Sequence, residues 1–141
     1  MEIPHIQWIE QIGTSEFDTS YGITTDSNGN VYITGGTDGS LAGVNKGYVD
    51  AWIAKYNTHG NLVWSKQIGT SELDVSDSVT TDSNGNVYIT GWTHGILGGV
   101  NQGFSDAWIA KYNTHGNLVW SNQIGTSEWD FYNGVTTDSN S

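Results

Sequence analysis

The chain has 141 residues, room for one ordinary domain with a real core. Fifteen Asp and Glu oppose four Lys, giving a formal charge of −11 that repels phosphate backbones and anionic lipid, so nucleic-acid binding is not expected. With no Cys there are no disulfides or thiolate metal sites, and no apolar run approaches the roughly 18 residues of a membrane span, so membrane insertion is not expected either.

The opening segment, Met1 to His5, has neither the basic nor the apolar region of a secretory leader. Ile6–Ile12 then reads as a lone strand, followed by QIGTSE beginning at Gln11. That hexapeptide returns at Gln67 and Gln123, and TTDSN begins at Thr24, Thr80 and Thr136, so both series step by 56 residues. Aligning Ile6–Asn61 with Leu62–Asn117 gives 40 identities in 56 positions, a level that points to duplication. The chain is expected to be a single segment, residues 1–141, with repeats at about 6–61 and 62–117 and a partial copy at 118–141.

Within one repeat the strand signals are short and evenly spaced. Tyr21–Asp26 leads into Ser27-Asn28-Gly29, and Asn30–Gly35 follows; Asn-Gly between β-rich runs predicts a type I′ hairpin turn. Residues 36–49 are glycine-rich without alternation and read as a long loop. Asp50–Asn57, a turn at His59-Gly60 and Asn61–Ile68 complete the unit, and Tyr132–Asp138 reads as one more lone strand. The third strand sets Ala51 and Ile53 against Trp52, Ala54 and Tyr56; the fourth sets Leu62, Trp64 and Ile68 against Val63. Apolar residues on both faces predict a sheet covered on both sides. Four antiparallel strands joined by tight turns describe an all-β fold of β-propeller blades; a β-solenoid is the runner-up, and the hairpins argue against its parallel strands.

The units DAWIAKYNTHGNLVW (50–64 and 106–120), QIGTSE and TTDSNGNVYITG resemble the bacterial β-propeller repeat called SBBP, for seven-bladed β-propeller, over essentially the whole chain from Ile6. The resemblance implies the blade fold and a setting in large secreted or surface-attached bacterial proteins, and brings no catalytic residues with it. Two complete blades cannot close a ring of roughly four or more. The sequence is therefore expected to be an open segment of a longer array, with free edges that invite further blades or self-association.

Alternate connections of a blade share one end. Of the sixteen differences between the two full repeats, seven fall at 36–49 and four more beside the loop that links one unit to the next, at Phe17/Leu73, Thr19/Val75, Tyr21/Asp77 and Gly22/Ser78. The other end is identical in the two copies. Loops on a rigid scaffold carry binding more often than the scaffold does, although long loops also drift. On the variable end stand Glu16 and Asp18, Glu72 and Asp74 with Asp77, and Glu128, Trp129 and Asp130. Such carboxylates could hold Ca²⁺, but short acidic and hydroxyl side chains equally cap turns.

The Asp26 and Asp82 turns fail the calcium-loop test, because Gly comes fourth and Thr stands twelfth. His94 replaces Asp38 beside Trp92, and this Trp-His pair could anchor a protein or a glycan. His59 and His115 stand in turns where tolerance of left-handed backbone is useful, with a metal role a lesser alternative. No nucleophile, base and orienting group fall together, so no enzyme activity, catalytic residue or assigned metal is expected. The expected role is a non-catalytic scaffold or binding module.

Overall fold

The computed structural model describes residues 3–139. Eight strands fall in chain order: β1 (Asp18–Thr25), β2 (Val31–Thr37), β3 (Asp50–Tyr56), β4 (Leu62–Ile68), β5 (Asp74–Thr81), β6 (Val87–Thr93), β7 (Asp106–Tyr112) and β8 (Leu118–Ile124). They form two antiparallel four-stranded meanders, β1-β2-β3-β4 and β5-β6-β7-β8. This is the all-β arrangement of two propeller blades.

The blades pack face to face through the alternation of the third strand. Ala51 and Ile53 of β3, with Tyr32 of β2, meet Val79, Val87, Ile89, Trp108, Ala110 and Tyr112 of the second blade. Trp52, Ala54 and Tyr56 point the other way, against Ile12, Val31, Ile33 and Leu41. Each fully buried Ile or Val here stabilises by roughly 1.5–3 kcal/mol.

The fourth strand departs from expectation. β4 is the outer strand, and Leu62 and Val63 are each 51% exposed, so burial on both faces holds for β3 and fails at the rim.

Turn geometry also differs from expectation. Gly29, Gly60, Gly85 and Gly116 take φ between 77° and 80°, and no other residue among those described has positive φ. A type I′ turn needs two such residues; these loops use a right-handed turn followed by one left-handed glycine. His59 and His115 therefore are not there for left-handed backbone; their amides donate to Asn57 and Asn113 Oδ1 at 2.9 and 3.0 Å.

The lone strands expected at Ile6–Ile12 and Tyr132–Asp138 are not strands. Each still occupies its phase of the repeat. Trp8 lies over Gly60 as Trp64 lies over Gly116. The Thr137 hydroxyl donates to the Thr81 carbonyl at 2.9 Å, as the Thr81 hydroxyl donates to the Thr25 carbonyl at 3.1 Å. A ladder would require an adjacent strand of the same unit, and among the described residues neither flank pairs with one.

The Trp64 indole N–H donates to the Thr114 carbonyl at 3.1 Å, fastening the outer strand of one blade to the last turn of the next. Gly116 needs its positive φ and also lies directly beneath that ring. Gly116→Ala is expected to lower stability by about 2 kcal/mol or more. Gly134→Ala, whose added Cβ meets nothing within 4 Å, should leave the melting temperature within a degree or two; thermal unfolding of both variants checks the contrast.

Candidate functional site

The β2–β3 and β4–β5 connections lie at one end of the blades, and the acidic residues there do two different things. Asp18 accepts from the Thr14 amide and hydroxyl at 2.6 and 2.9 Å and from the Thr37 hydroxyl at 2.5 Å. Asp74 repeats the arrangement with Thr70 and Thr93, and Asp130 repeats the Thr126 half of it. Burial works against ionisation of Asp18, but these hydrogen bonds outweigh it and hold its carboxyl below the usual value. At fully buried Asp74 burial prevails, helped by the nearby Asp50 charge, and the carboxyl is pushed up. Burial likewise raises Asp77.

Glu16, Glu72 and Glu128 sit at the loop tips, their amides bound to Thr14, Thr70 and Thr126 hydroxyls at 3.0, 3.1 and 3.2 Å. The acidic pairs therefore do not converge, and the aspartates close their own loops. Among the described residues no three His, Asp or Glu form a metal-ligand group.

Between the blades at this end lies a recess of about 200 Å³. Phe17, Thr19, Tyr21, Gly36, Asp38 and Val49 line it from the first repeat, and Leu73, Val75 and Trp92 from the second. All nine stand at positions where the two repeats differ, although 40 of 56 aligned positions are identical. Local structure explains how they converge. Tyr21 is the extra residue of a β-bulge between Ser20 and Gly22, which re-aims a side chain out of the sheet alternation. Leu73 is held by its carbonyl, which accepts from the His94 amide at 2.9 Å, while the Asp74 amide donates to the Val49 carbonyl at 2.7 Å. Gly36, where the other repeat carries Trp92, brings no side chain to the recess, and a Cβ there would meet Val49 Cγ1 at 3.0 Å.

At the next junction the same space is filled. Trp92 and His94 approach at 5.3 Å between ring centroids, His94 and Trp129 at 5.4 Å, and Trp92 and Phe131 at 5.8 Å. Trp129 stacks on Phe131 at 5.9 Å and on Phe104 at 6.0 Å. Trp92 is thus the wall between an open recess and a packed aromatic ladder. The His94 Nε2 atom is buried without a hydrogen-bond partner among the described residues.

With this geometry in view, a family model described as "Beta-propeller repeat", SBBP, matches residues 7–42 and 63–98. The chain belongs to the SBBP β-propeller repeat family. Its matched segments run from the last strand position of one unit into the loop after β2 or β6, and so include Phe17, Tyr21, Asp38, Leu73 and Trp92. A curated relative is an uncharacterized WD repeat-containing protein of Acanthamoeba polyphaga mimivirus, 26% identical over 149 residues that cover 84% of this chain. The SBBP chain spans only 11% of that relative's length. Both likenesses support a repeat scaffold.

Of the residues singled out from sequence, the structure brings Asp38 and Trp92 to the recess and His94 and Trp129 to the ladder. Asp18, Asp74 and Asp130 go to loop closure. Phe17, Tyr21, Leu73 and Val75 were noted only as differences, and Phe104 and Phe131 were missed; pairing differing positions across the repeat junction was the available signal.

At the opposite end carboxylates lock the turns. Asp82 accepts from the Asn84 and Asn86 amides at 3.0 and 2.8 Å, from Asn86 Nδ2 at 2.8 Å and from the Tyr88 hydroxyl at 3.2 Å. Burial opposes its charge, but the bonds from Asn86, Asn84 and Tyr88 outweigh burial and lower its pKa, as Asn30, Tyr32 and Asn28 do for Asp26. A carboxyl with a lowered folded pKa contributes stability above the ordinary 3.8 and loses it as pH falls through the folded value. Asp82→Ala is expected to cost about 1–3 kcal/mol at pH 7. Its deficit relative to the parent should narrow below pH 3.8 in denaturant titrations run across that range.

Proposed function

We propose that the chain is a non-catalytic β-propeller scaffold whose variable end engages a protein partner through the recess between its blades. The supporting observation is the recess wall, where all nine residues stand at positions of divergence between repeats. Exposure alone does not account for this, because the exposed NTHGN and DSNGN turns at the other end are unchanged between copies. Loops positioned by a rigid scaffold carry a disproportionate share of binding residues.

The scaffold reading extends to the outward face of the second blade. Ile109 and Ile124, the counterparts of Ile53 and Ile68, line a cavity of about 500 Å³ with Tyr132, Gly134 and Val135. In the first blade that space receives Val79, Val87 and Ile89 of the next unit. A further blade of the same kind is the occupant this face suits, within a larger protein and in the secreted or surface setting that the family resemblance implies.

Replacing Trp92 by Gly and His94 by Asp gives the second repeat the residues of the first at those positions. Peptides selected from a phage-displayed library on the parent chain are expected to lose at least about tenfold in affinity on this variant, roughly the loss of one aromatic anchor. Cooperative unfolding should be retained. Selected peptides that bind both chains equally, or a library that yields none, would contradict the reading.

A further inference from the structure

We infer that the recess takes one basic side chain, the arginine or lysine of a partner peptide, an inference that rests on the binding reading above and specifies its partner. Volume sets the first limit. Pockets for drug-sized ligands run from roughly 300 to 1,000 Å³, whereas this recess offers about 200 Å³. That suits a single side chain better than an oligosaccharide.

The walls supply the chemistry. Phe17, Tyr21 and Trp92 bring three aromatic rings to the same recess, and a cation is attracted to the face of such rings within about 6 Å. This molecule already uses the contact elsewhere, with Lys55 Nζ 5.3 Å from the Tyr32 centroid and Lys111 Nζ 5.1 Å from that of Tyr88. Neither of those lysines, nor Lys46 or Lys66, lines the recess.

Asp38 fixes the sign of the ligand. Its carboxylate lies exposed at the rim and has no hydrogen bond or ion pair among the described residues, while its backbone is pinned because its amide N–H donates to the Phe17 carbonyl at 2.9 Å. An aliphatic stem against Leu73, Val75 and Val49, a cationic head over the rings and a carboxylate at the mouth match the two-part character of Lys and Arg. The net charge of −11 draws basic peptides and repels acidic ones.

The whole chain carrying 5-fluorotryptophan gives a fluorine NMR signal for Trp92, assigned with Trp92→Phe. It is titrated at low salt with acetyl-Gly-Arg-Gly-amide, with its Lys and norleucine counterparts, and with maltotriose. The Arg and Lys peptides are expected to move the Trp92 signal saturably, with the norleucine peptide at least about fivefold weaker. Asp38→Asn should weaken the Arg peptide by a similar factor, and raising the salt to about 0.2 M should weaken it further.

Equal saturation by the norleucine peptide would overturn the basic-side-chain inference and leave the protein-binding reading standing. Movement of Trp92 by maltotriose alone would overturn both. If no probe moves the signal, the inference fails, and library-selected peptides that still require Trp92 and His94 would show that the broader reading survives.

Discussion

The contact on which the architecture depends is the seating of an outer-strand tryptophan on the last turn of the following unit. Trp64 lies on Gly116, donates its indole N–H to the Thr114 carbonyl and meets Tyr32 edge-on at 6.1 Å. One side chain thereby joins the outer strand of one blade, the second strand of the same blade and the final turn of the next. Trp8 over Gly60 repeats the contact one period earlier, even where no strand accompanies it. The 56-residue period is thus a spatial step, and each blade fixes the position of its successor.

That fixed step makes the loop end informative. With the blades fastened in this way, residues 17–21, 36–49 and 73–75 meet at the same junction. Their chemistry can then change without risk to the fold. The aspartates at 18, 74 and 130 preserve this arrangement by binding the Thr four residues earlier. A shared backbone with altered side chains gives an open recess at one junction and an aromatic ladder at the next.

Much of the fold was legible in the letters. The exact return of residues 50–64 at 106–120 fixed the period, and alternation in DAWIAKY assigned both faces of β3 correctly. What escaped has physical causes. A strand at 6–12 or 132–138 needs a ladder partner that local propensity cannot supply. Exposure of Leu62 and Val63 depends on being outermost, which their own apolar character does not reveal. Asn-Gly suggested paired left-handed residues, but Gly alone takes that conformation. The recess was not readable as a site because its walls come from four separated segments, one of them bulged at Tyr21. The acidic pairs drew attention by their charge, and hydrogen bonding to Thr decides their role.

The claim that each tryptophan seats on the next blade's turn is tested most directly by the Hα chemical shifts of the four turn glycines. Gly60 and Gly116 lie under indole rings and Gly29 and Gly85 lie beside Thr58 and Thr114 methyls. Strong upfield ring-current shifts are expected at Gly60 and Gly116 only, with Trp64→Leu abolishing the shift at Gly116 and sparing that at Gly60. Ordinary Hα shifts at all four glycines, or a Trp64→Leu effect spread evenly over them, would contradict it.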